Sequence, residues 1–398
     1  MKWHYVFIIY IVLVGVWCAI FMPSSNYAYA IDTDMEDTQQ SLEESVYDRL
    51  SNIDLSNFED VINNLSPESL NIFGNKSFFQ KVNSILSGDV GDNFGSFLLA
   101  ILDLFFGNII KYIPIICVVV GIAILGTLVN GIRSEESNIQ GIVNFVCFSL
   151  IIVLISSQCV GLLNEVCGCV NGLKVQMDLM FPLLLTLLAS VGGVTSAGIF
   201  QASTAVLANI ILQLFTIIII PLFLVSFVFS ILGNLVESVK LSKFNDLLNT
   251  ILKWLIGIIF GVFTFVLTIQ GIVAGSYDGM SINATKFALK SYIPILGGYL
   301  SDGFNYVAAS GILIKNSIGF AGLVLLIATI IPTFVRILVL AILLKLASAI
   351  IQPMGASKIS DFLTQVSKLL FYLIGILLVI SFMYILSVGL IMCVANII

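Results

Sequence analysis

KSYIPILGGYLSDGFNYVAASGILIKNSIGFAGLVLLIATIIPTFV, residues Lys290 to Val335, is too apolar for a water-exposed loop and too often interrupted for a uniformly greasy membrane helix. Gly297, Gly298, Asp302, Gly303, Asn305, Gly311, Lys315 and Asn316 break it up. In a bilayer core an unpaired backbone amide is so costly that polar or irregular backbone persists only when buried in protein or facing a water-filled cavity. The stretch therefore reads as a polar element held at membrane depth, and as the place to look for the working part of the chain.

A second stretch has the same plan. MFPLLLTLLASVGGVTSAGIFQASTAVLANIILQLFTIIIIPLFLV (Met180 to Val225) opens on a proline, passes a Gly/Ser-rich middle containing Gly192 and Gly193, and reaches a second Ile-Ile-Pro. Pro182 and Pro221 are 221 − 182 = 39 positions apart, and Pro294 and Pro332 are 332 − 294 = 38. Beyond the second proline, Leu241 to Gly271 lies over Ile359 to Gly389 at a constant offset of 118, placing Ser242 on Ser360, Phe244 on Phe362 and Gly271 on Gly389. The expectation is an internal duplication, residues 177–276 and 289–395. Repeated halves are a recurrent device of transporters, with discontinuous helices in corresponding positions.

Composition sets the class. With 59% hydrophobic and 10% charged residues and a mean hydropathy of +1.09, the chain is expected to be an all-α polytopic membrane protein. Lys2 and His4 precede an apolar run from Tyr5 to Met22, and Ala28-Tyr29-Ala30 supplies an A-x-A cleavage signal, so residues 1–30 read as a signal peptide. An uncleaved anchor is the alternative. Residues 31–95 are acidic and polar, expected to be translocated, and either dock on something or act as a solvating tether. Leu42, Val46, Leu50 and Ile53 have helical spacing, and Ser66-Pro67-Glu68 suits a helix start with proline in its first turn.

Removing the signal peptide would also remove the single histidine, His4. That excludes histidine-based nucleophilic machinery and histidine-ligated metal. No phosphate-binding or dinucleotide fingerprint is visible, and no basic run exists to neutralise nucleic acid. An enzyme is not expected, and no cofactor or metal is implied.

Six stretches are long enough to cross a bilayer: 109–131, 142–163, 204–233, 254–276, 318–347 and 369–395. The first two fall in a helix pair over 97–163. Two shorter segments, 179–200 and 286–313, decide the topology. If both cross, the loop carrying Lys240, Lys243 and Lys253 emerges opposite the loop carrying Lys358 and Lys368. If both re-enter, the two Lys-bearing loops share the cytoplasmic side, with Arg133, as the positive-inside rule prefers. The expected fold is about six spanning helices plus two re-entrant or short helical segments.

Within that frame Arg336 sits in the fifth long span after Pro332, where a charge must face protein or a polar path. Asp302 with Asn305, and Lys315 with Asn316, either pair across the re-entrant element or sit in external water. Gly192, Gly193, Gly297 and Gly298 permit close helix approach or unwinding. The stretch Lys240 to Trp254 is amphipathic and either lies in the interface plane or, with Lys358 and Lys368, docks a partner. Cys167-Gly168-Cys169 falls between spans and reads as an extracytoplasmic loop.

The order of parts, and above all Tyr292 to Gly319 with the matching Phe181 to Gln201, resembles stage III sporulation protein AE of endospore-forming bacteria. The resemblance implies a subunit of the mother-cell-to-forespore channel complex, in the mother-cell membrane around the forespore. It implies as partners the other membrane proteins of the same operon, including ring-forming subunits and a secretion-type ATPase. It carries no catalytic residues. A transport component is the leading expectation; a structural platform that conducts nothing, and an independent secondary transporter, are the alternatives.

Overall fold

The computed structural model describes Val46 and residues 48–87, 94–132, 137–235, 242–292 and 297–394. The signal-peptide region, Arg133, Lys240 and most of the helix expected around Leu42 lie outside them. The description below is of residues from Arg49 onward, which form one compact unit.

No strand occurs among the described residues. Three short helices come first: α1 (Ser56–Asn63), α2 (Pro67–Phe73) and α3 (Phe78–Leu86). Their boundaries follow from local chemistry. Ser66 caps α2, its Oγ accepting from Ser69 N at 3.2 Å, with Pro67 in the first turn where its missing N–H is not needed. Gly74, at φ +96°, closes that helix in the left-handed conformation. Ser77 and Gln80 cap α3 reciprocally, each side chain accepting the other's backbone N–H at 3.1 Å. The three hold one another through Glu59 Oε1, which accepts from Phe78 N at 2.9 Å, through stacked Phe58 and Phe78 rings 4.3 Å apart, and through Lys81 Nζ, which donates to Phe73 O at 3.1 Å.

The remaining helices are long: α4 (Phe94–Ile132), α5 (Ser137–Ser190), α6 (Val194–Leu214), α7 (Ile220–Leu235), α8 (Ser242–Tyr292), α9 (Gly297–Ile351) and α10 (Ser357–Val394). A π-helical turn, Phe215–Ile219, joins α6 to α7. Among the described residues six helices are long and apolar enough to cross a membrane, and each of the six stretches expected from sequence overlaps one of them, the third starting earlier, in α6. With 54 and 55 residues, α5 and α9 are each about 80 Å long at ~1.5 Å per residue, far more than a ~30 Å hydrocarbon layer requires.

The centre is α9. It packs against α10, α5, α4, α8 and the short helices α2 and α3. Most of the apolar stretch in α9 and α10 is buried in protein, whereas that of α8 is largely exposed, as expected of a lipid-facing surface. In lipid, helix association rests on close packing and polar bridges rather than on excluding water, and both are present. Ser348 Oγ lies 2.9 Å from Ser360 Oγ and 2.7 Å from Thr364 Oγ1, and Ser367 Oγ donates to Ala341 O at 2.8 Å, tying α9 to α10. At Gly311 of α9 an added Cβ would lie 2.3 Å from Cγ1 of Val191, a stiff β-branched side chain, whereas at Gly322 it would meet the movable end of Met180. Gly311→Ala is therefore expected to destabilise by about 1–3 kcal/mol and Gly322→Ala by less; thermal unfolding in detergent with the order reversed would refute the packing.

The short segments that decide the topology are helical. Residues 179–190 complete α5 and residues 194–200 begin α6, with the turn between them made by Gly192 at φ +100°. Residues 286–292 complete α8 and residues 297–313 begin α9, the link at 293–296 lying outside the described residues. Each is thus the end of one long helix and the start of the next. Consistently, α8 and α10 run parallel and side by side: Lys253 Nζ lies 5.5 Å from the Tyr372 ring centre, and the Phe260 and Phe382 rings are 5.5 Å apart. A Cβ on Gly271 would lie 3.3 Å from Leu390. Lys243, Lys253, Lys358 and Lys368 consequently share one end of the protein.

Two local expectations are corrected. Cys167-Gly168-Cys169 is not a loop but part of α5, and Cys169 is buried with its Sγ 3.7 Å from Thr329 O. The amphipathic stretch before Trp254 is not a separate interfacial helix; from Ser242 it forms the first turns of α8, with Leu248 and Leu252 buried and Phe244, Leu247 and Ile251 exposed. Continuing the helix satisfies backbone groups that a break would leave open.

Candidate functional site

Helices α5 and α9 lie antiparallel over much of their length: Glu165 meets Arg336, Gly172 faces Thr329, Met180 faces Gly322 and Val191 faces Gly311. On α5 the small or polar residues Glu165, Gly168, Cys169, Gly172 and Gln176 recur every three or four positions and so share one face. Thr329, Pro332, Thr333 and Arg336 do the same on α9. Two stripes of short side chains facing each other leave space between the helices, and α1 and α2 cover it.

That space is a cavity of about 570 Å³. Its rim carries the exposed Asn57, Asp60 and Asn64 of the N-terminal helices, and deeper in lie Cys169, Gln176, Thr329 and Thr333. Gln176, 1% exposed, donates from Nε2 to Thr329 Oγ1 at 2.6 Å, and Thr329 Oγ1 in turn donates to Leu325 O at 2.9 Å. The other end of the Gln176 amide, Oε1, has no hydrogen-bond partner among the described residues. Pro332 has no N–H to offer the carbonyl one turn before it, so the backbone here is also rich in acceptors.

Arg336 closes one side. Its Nη2 donates to Glu68 Oε1 at 2.7 Å and its Nη1 lies 3.0 Å from Glu165 Oε2, so one planar guanidinium spans α2, α5 and α9. Only arginine has the fork for this; a lysine ammonium is a point charge that cannot keep both geometries. Glu68 lies in the first turn of α2, where the helix dipole favours an anion. Partial burial works against its ionisation, but the Arg336 charge, a backbone amide and the Ser66 hydroxyl outweigh it and hold the carboxyl below the ordinary glutamate range.

A lowered folded-state pKa means that Glu68 contributes stability above the unfolded value, about 4.3, and loses it as pH falls through the lower folded value. Hydrogen exchange of residues 56–86 is therefore expected to rise on acidification through that window in the wild type and to respond less in Glu68→Gln. An identical response in both proteins would remove Glu68 from the account.

Lys315 lies elsewhere. It is fully buried, and its Nζ donates to Ile391 O at 3.2 Å and Met392 O at 2.9 Å. These carbonyls belong to the last described residues of α10, so the ammonium ties α9 to the backbone of α10. It is thus a buried link between two helices and does not sit in external water. Gly297, Gly298, Asp302 and Asn305 occupy the first turns of α9. Gly192 and Gly193 form the α5–α6 turn, Gly193 N donating to Leu188 O at 3.0 Å. Lys243, Lys253, Lys358 and Lys368 are exposed. Near them Asn234 and Asn245 of α7 and α8 donate to Gln365 Oε1 at 3.2 and 3.4 Å. Of the residues expected to form a polar path or dock a partner, Arg336 lines the cavity, together with Ser66, Gly168, Cys169 and Pro332, which the sequence marked for other reasons. Glu68, Glu165, Gln176 and Thr329 were not anticipated, although the helical spacing of the two stripes was there to be read.

Among the described residues no group of three or more His, Cys, Asp or Glu is placed to hold a metal ion. The fold and site thus define a multi-pass helical membrane protein with a charged cavity between two long helices and a small N-terminal helical cover. A family profile, Stage III sporulation protein AE, matches residues 76–395. The chain belongs to that family. It is 29% identical over 262 residues to "Stage III sporulation protein AE" of Bacillus subtilis (strain 168), covering 66% of each chain, just under two thirds of that relative's length. No solved structure matches.

Proposed function

We propose that this protein is an integral membrane subunit of the mother-cell-to-forespore channel complex and forms part of its transport path. The observation carrying this reading is the 570 Å³ cavity at Arg336: a guanidinium and polar side chains kept between helices that are otherwise apolar. A charge in such a helix is expensive and usually marks a polar route. On this reading residues 1–30 are a signal peptide, residues 56–86 face the intermembrane space where ring-forming subunits would meet them, and the shared end with Lys243, Lys253, Lys358 and Lys368 faces the mother-cell cytoplasm and the secretion-type ATPase. The protein acts without catalysis, in the mother-cell membrane around the forespore.

The proposal includes the duplication of 177–276 and 289–395. Supporting it, contacting residues of α8 and α10 are separated by nearly the same number that aligns the two halves: 372 − 253 = 119, 382 − 260 = 122 and 390 − 271 = 119. Ser230 and Ser348, which are 348 − 230 = 118 apart, each bond to the early turns of the following helix.

The test is Thr333→Trp, which fills the cavity from α9. Late forespore gene expression should fail while the variant accumulates and still co-purifies with its partners. Normal expression would exclude a path through the cavity, and loss of co-purification would favour a platform.

A further inference from the structure

We infer that the groove around Lys253 and Trp254 on the outer side of α8 holds an anionic phospholipid, its phosphate on the Lys253 ammonium and an acyl chain along the helix. The inference goes beyond the transport reading, since it concerns what covers α8 in the bilayer and stands whether or not anything crosses. Lys253, Trp254, Gly257 and Ile258, within two turns of one helix, line a surface groove of about 430 Å³. Nothing of the protein fills it: a Cβ placed on Gly257, or on Gly261 one turn further, would meet no side chain within 4 Å. The apolar part is open to its surroundings. Trp254 is 70% exposed and Ile258 58%, and the same face continues through the exposed Val262, Phe265 and Ile269. The polar part is Lys253. Its Nζ lies 5.5 Å from the centre of the Tyr372 ring on α10, a cation–π contact that steadies a long side chain. Such a contact leaves the three N–H donors of the ammonium for another acceptor, and among the described residues no carboxylate pairs with it.

Charge selects the headgroup. At this end of α8, α9 and α10, Lys243, Lys253, Lys345, Lys358 and Lys368 stand against Asp246 and Asp361, a local excess of cations in a chain whose net charge is −6. A zwitterionic headgroup gains little from that field, because its own ammonium is repelled as its phosphate is attracted. An anionic headgroup gains from every lysine near it. The apolar strip selects a lipid over other anions. Free phosphate or an acidic soluble partner could meet Lys253 but would leave Trp254 and Ile258 uncovered, whereas a phospholipid carries an acyl chain directly beside its phosphate. A tryptophan next to a lysine where the apolar run begins is the arrangement of a membrane interface. Two copies of this chain meeting through the same face in one membrane would set Lys253 against Lys253, so a second copy suits the groove less well than a lipid does.

The experiment reads the fluorescence of Trp254 in the full-length protein carrying Trp3→Phe and Trp17→Phe, which leaves it as the sole tryptophan. The protein is reconstituted in phosphatidylcholine bilayers, and phosphatidylglycerol or phosphatidylcholine with brominated acyl chains is titrated in, so that quenching gives the relative affinity of the two lipids at the groove. Phosphatidylglycerol is expected to be favoured about fivefold, the contribution of one lysine near an anionic surface. Lys253→Gln should make the two lipids equal while brominated phosphatidylcholine still quenches, showing that the face still meets lipid. Lys345→Gln, at the same end but outside the groove, should keep the preference. Equal affinities in the wild type overturn the inference, as does a preference that survives Lys253→Gln. A fall as large in Lys345→Gln overturns it too, since the preference would then belong to diffuse charge. Absence of quenching by either lipid would show protein over Trp254, and loss of the preference on adding inorganic phosphate at constant ionic strength would show a site for free phosphate; each overturns it. Nothing crosses the membrane in this assay, so its failure is distinct from a failure of the transport reading, which Thr333→Trp tests in cells.

Discussion

Arg336→Ala is expected to free the N-terminal helices from the membrane bundle. The guanidinium is the group that joins α2 to α5 and α9 by charge, and its loss leaves Glu68 and Glu165 facing each other across a cavity with no cation between them. Hydrogen bonds to a charged group are worth about 1.5–3 kcal/mol each when shielded. Here the side chains are 18%, 40% and 34% exposed, so the lower end of that range applies to each. The effect should be local, because apolar contacts of α9 with α5 and α10 are untouched. Limited proteolysis should therefore cut between residues 56 and 94 much faster than in the wild type while the remainder stays protected. Arg336→Lys should recover part of the protection by holding one carboxylate at a time. Wild-type resistance in Arg336→Ala would show that the apolar contacts of α2 and α3 suffice and that the ion pairs serve another end.

The second large effect is expected at Lys315. Its ammonium donates to two backbone carbonyls of α10 from a position with no access to solvent. Lys315→Glu replaces a donor by an acceptor and sets a buried anion against two backbone carbonyl oxygens, so the variant should fail to accumulate. Lys315→Met keeps the volume but removes both hydrogen bonds between α9 and α10, a loss of about 1–3 kcal/mol, seen as a lowered unfolding midpoint in detergent. A Lys315→Glu protein that accumulates with wild-type stability would show that α10 does not depend on these hydrogen bonds.

The class of fold was open to reading because apolar runs of membrane length are the strongest signal a chain carries, and Ser66-Pro67 announced α2 by its capping chemistry. The site was legible only in part. Arg336 stood out because a charge after Pro332 in an apolar helix demands a partner. Its partners did not, since Glu68 is one carboxylate among many in an acidic segment and Glu165 sits where the hydropathy of α5 dips. The same dip, with its glycines and cysteines, made residues 164–178 look like a loop. Packing against α9 overrides that local preference, and only the register of two distant helices reveals it. Lys315 shows the limit most clearly: its acceptors are backbone atoms 76 and 77 residues away, and backbone carbonyls carry no sequence signature.

The two cations of α9 are 336 − 315 = 21 residues apart, about 32 Å along the helix. Each fastens the same rod to a different neighbour: Lys315 to the end of α10, Arg336 to α2 and α5. Sliding of the rod along its axis is opposed at both fastenings. Pro332 lies one turn from the second, where the helix lacks a hydrogen bond. The movement left to α9 is therefore a bend with its fulcrum beside the cavity, which would open or narrow that space while the far half of the rod stays fixed.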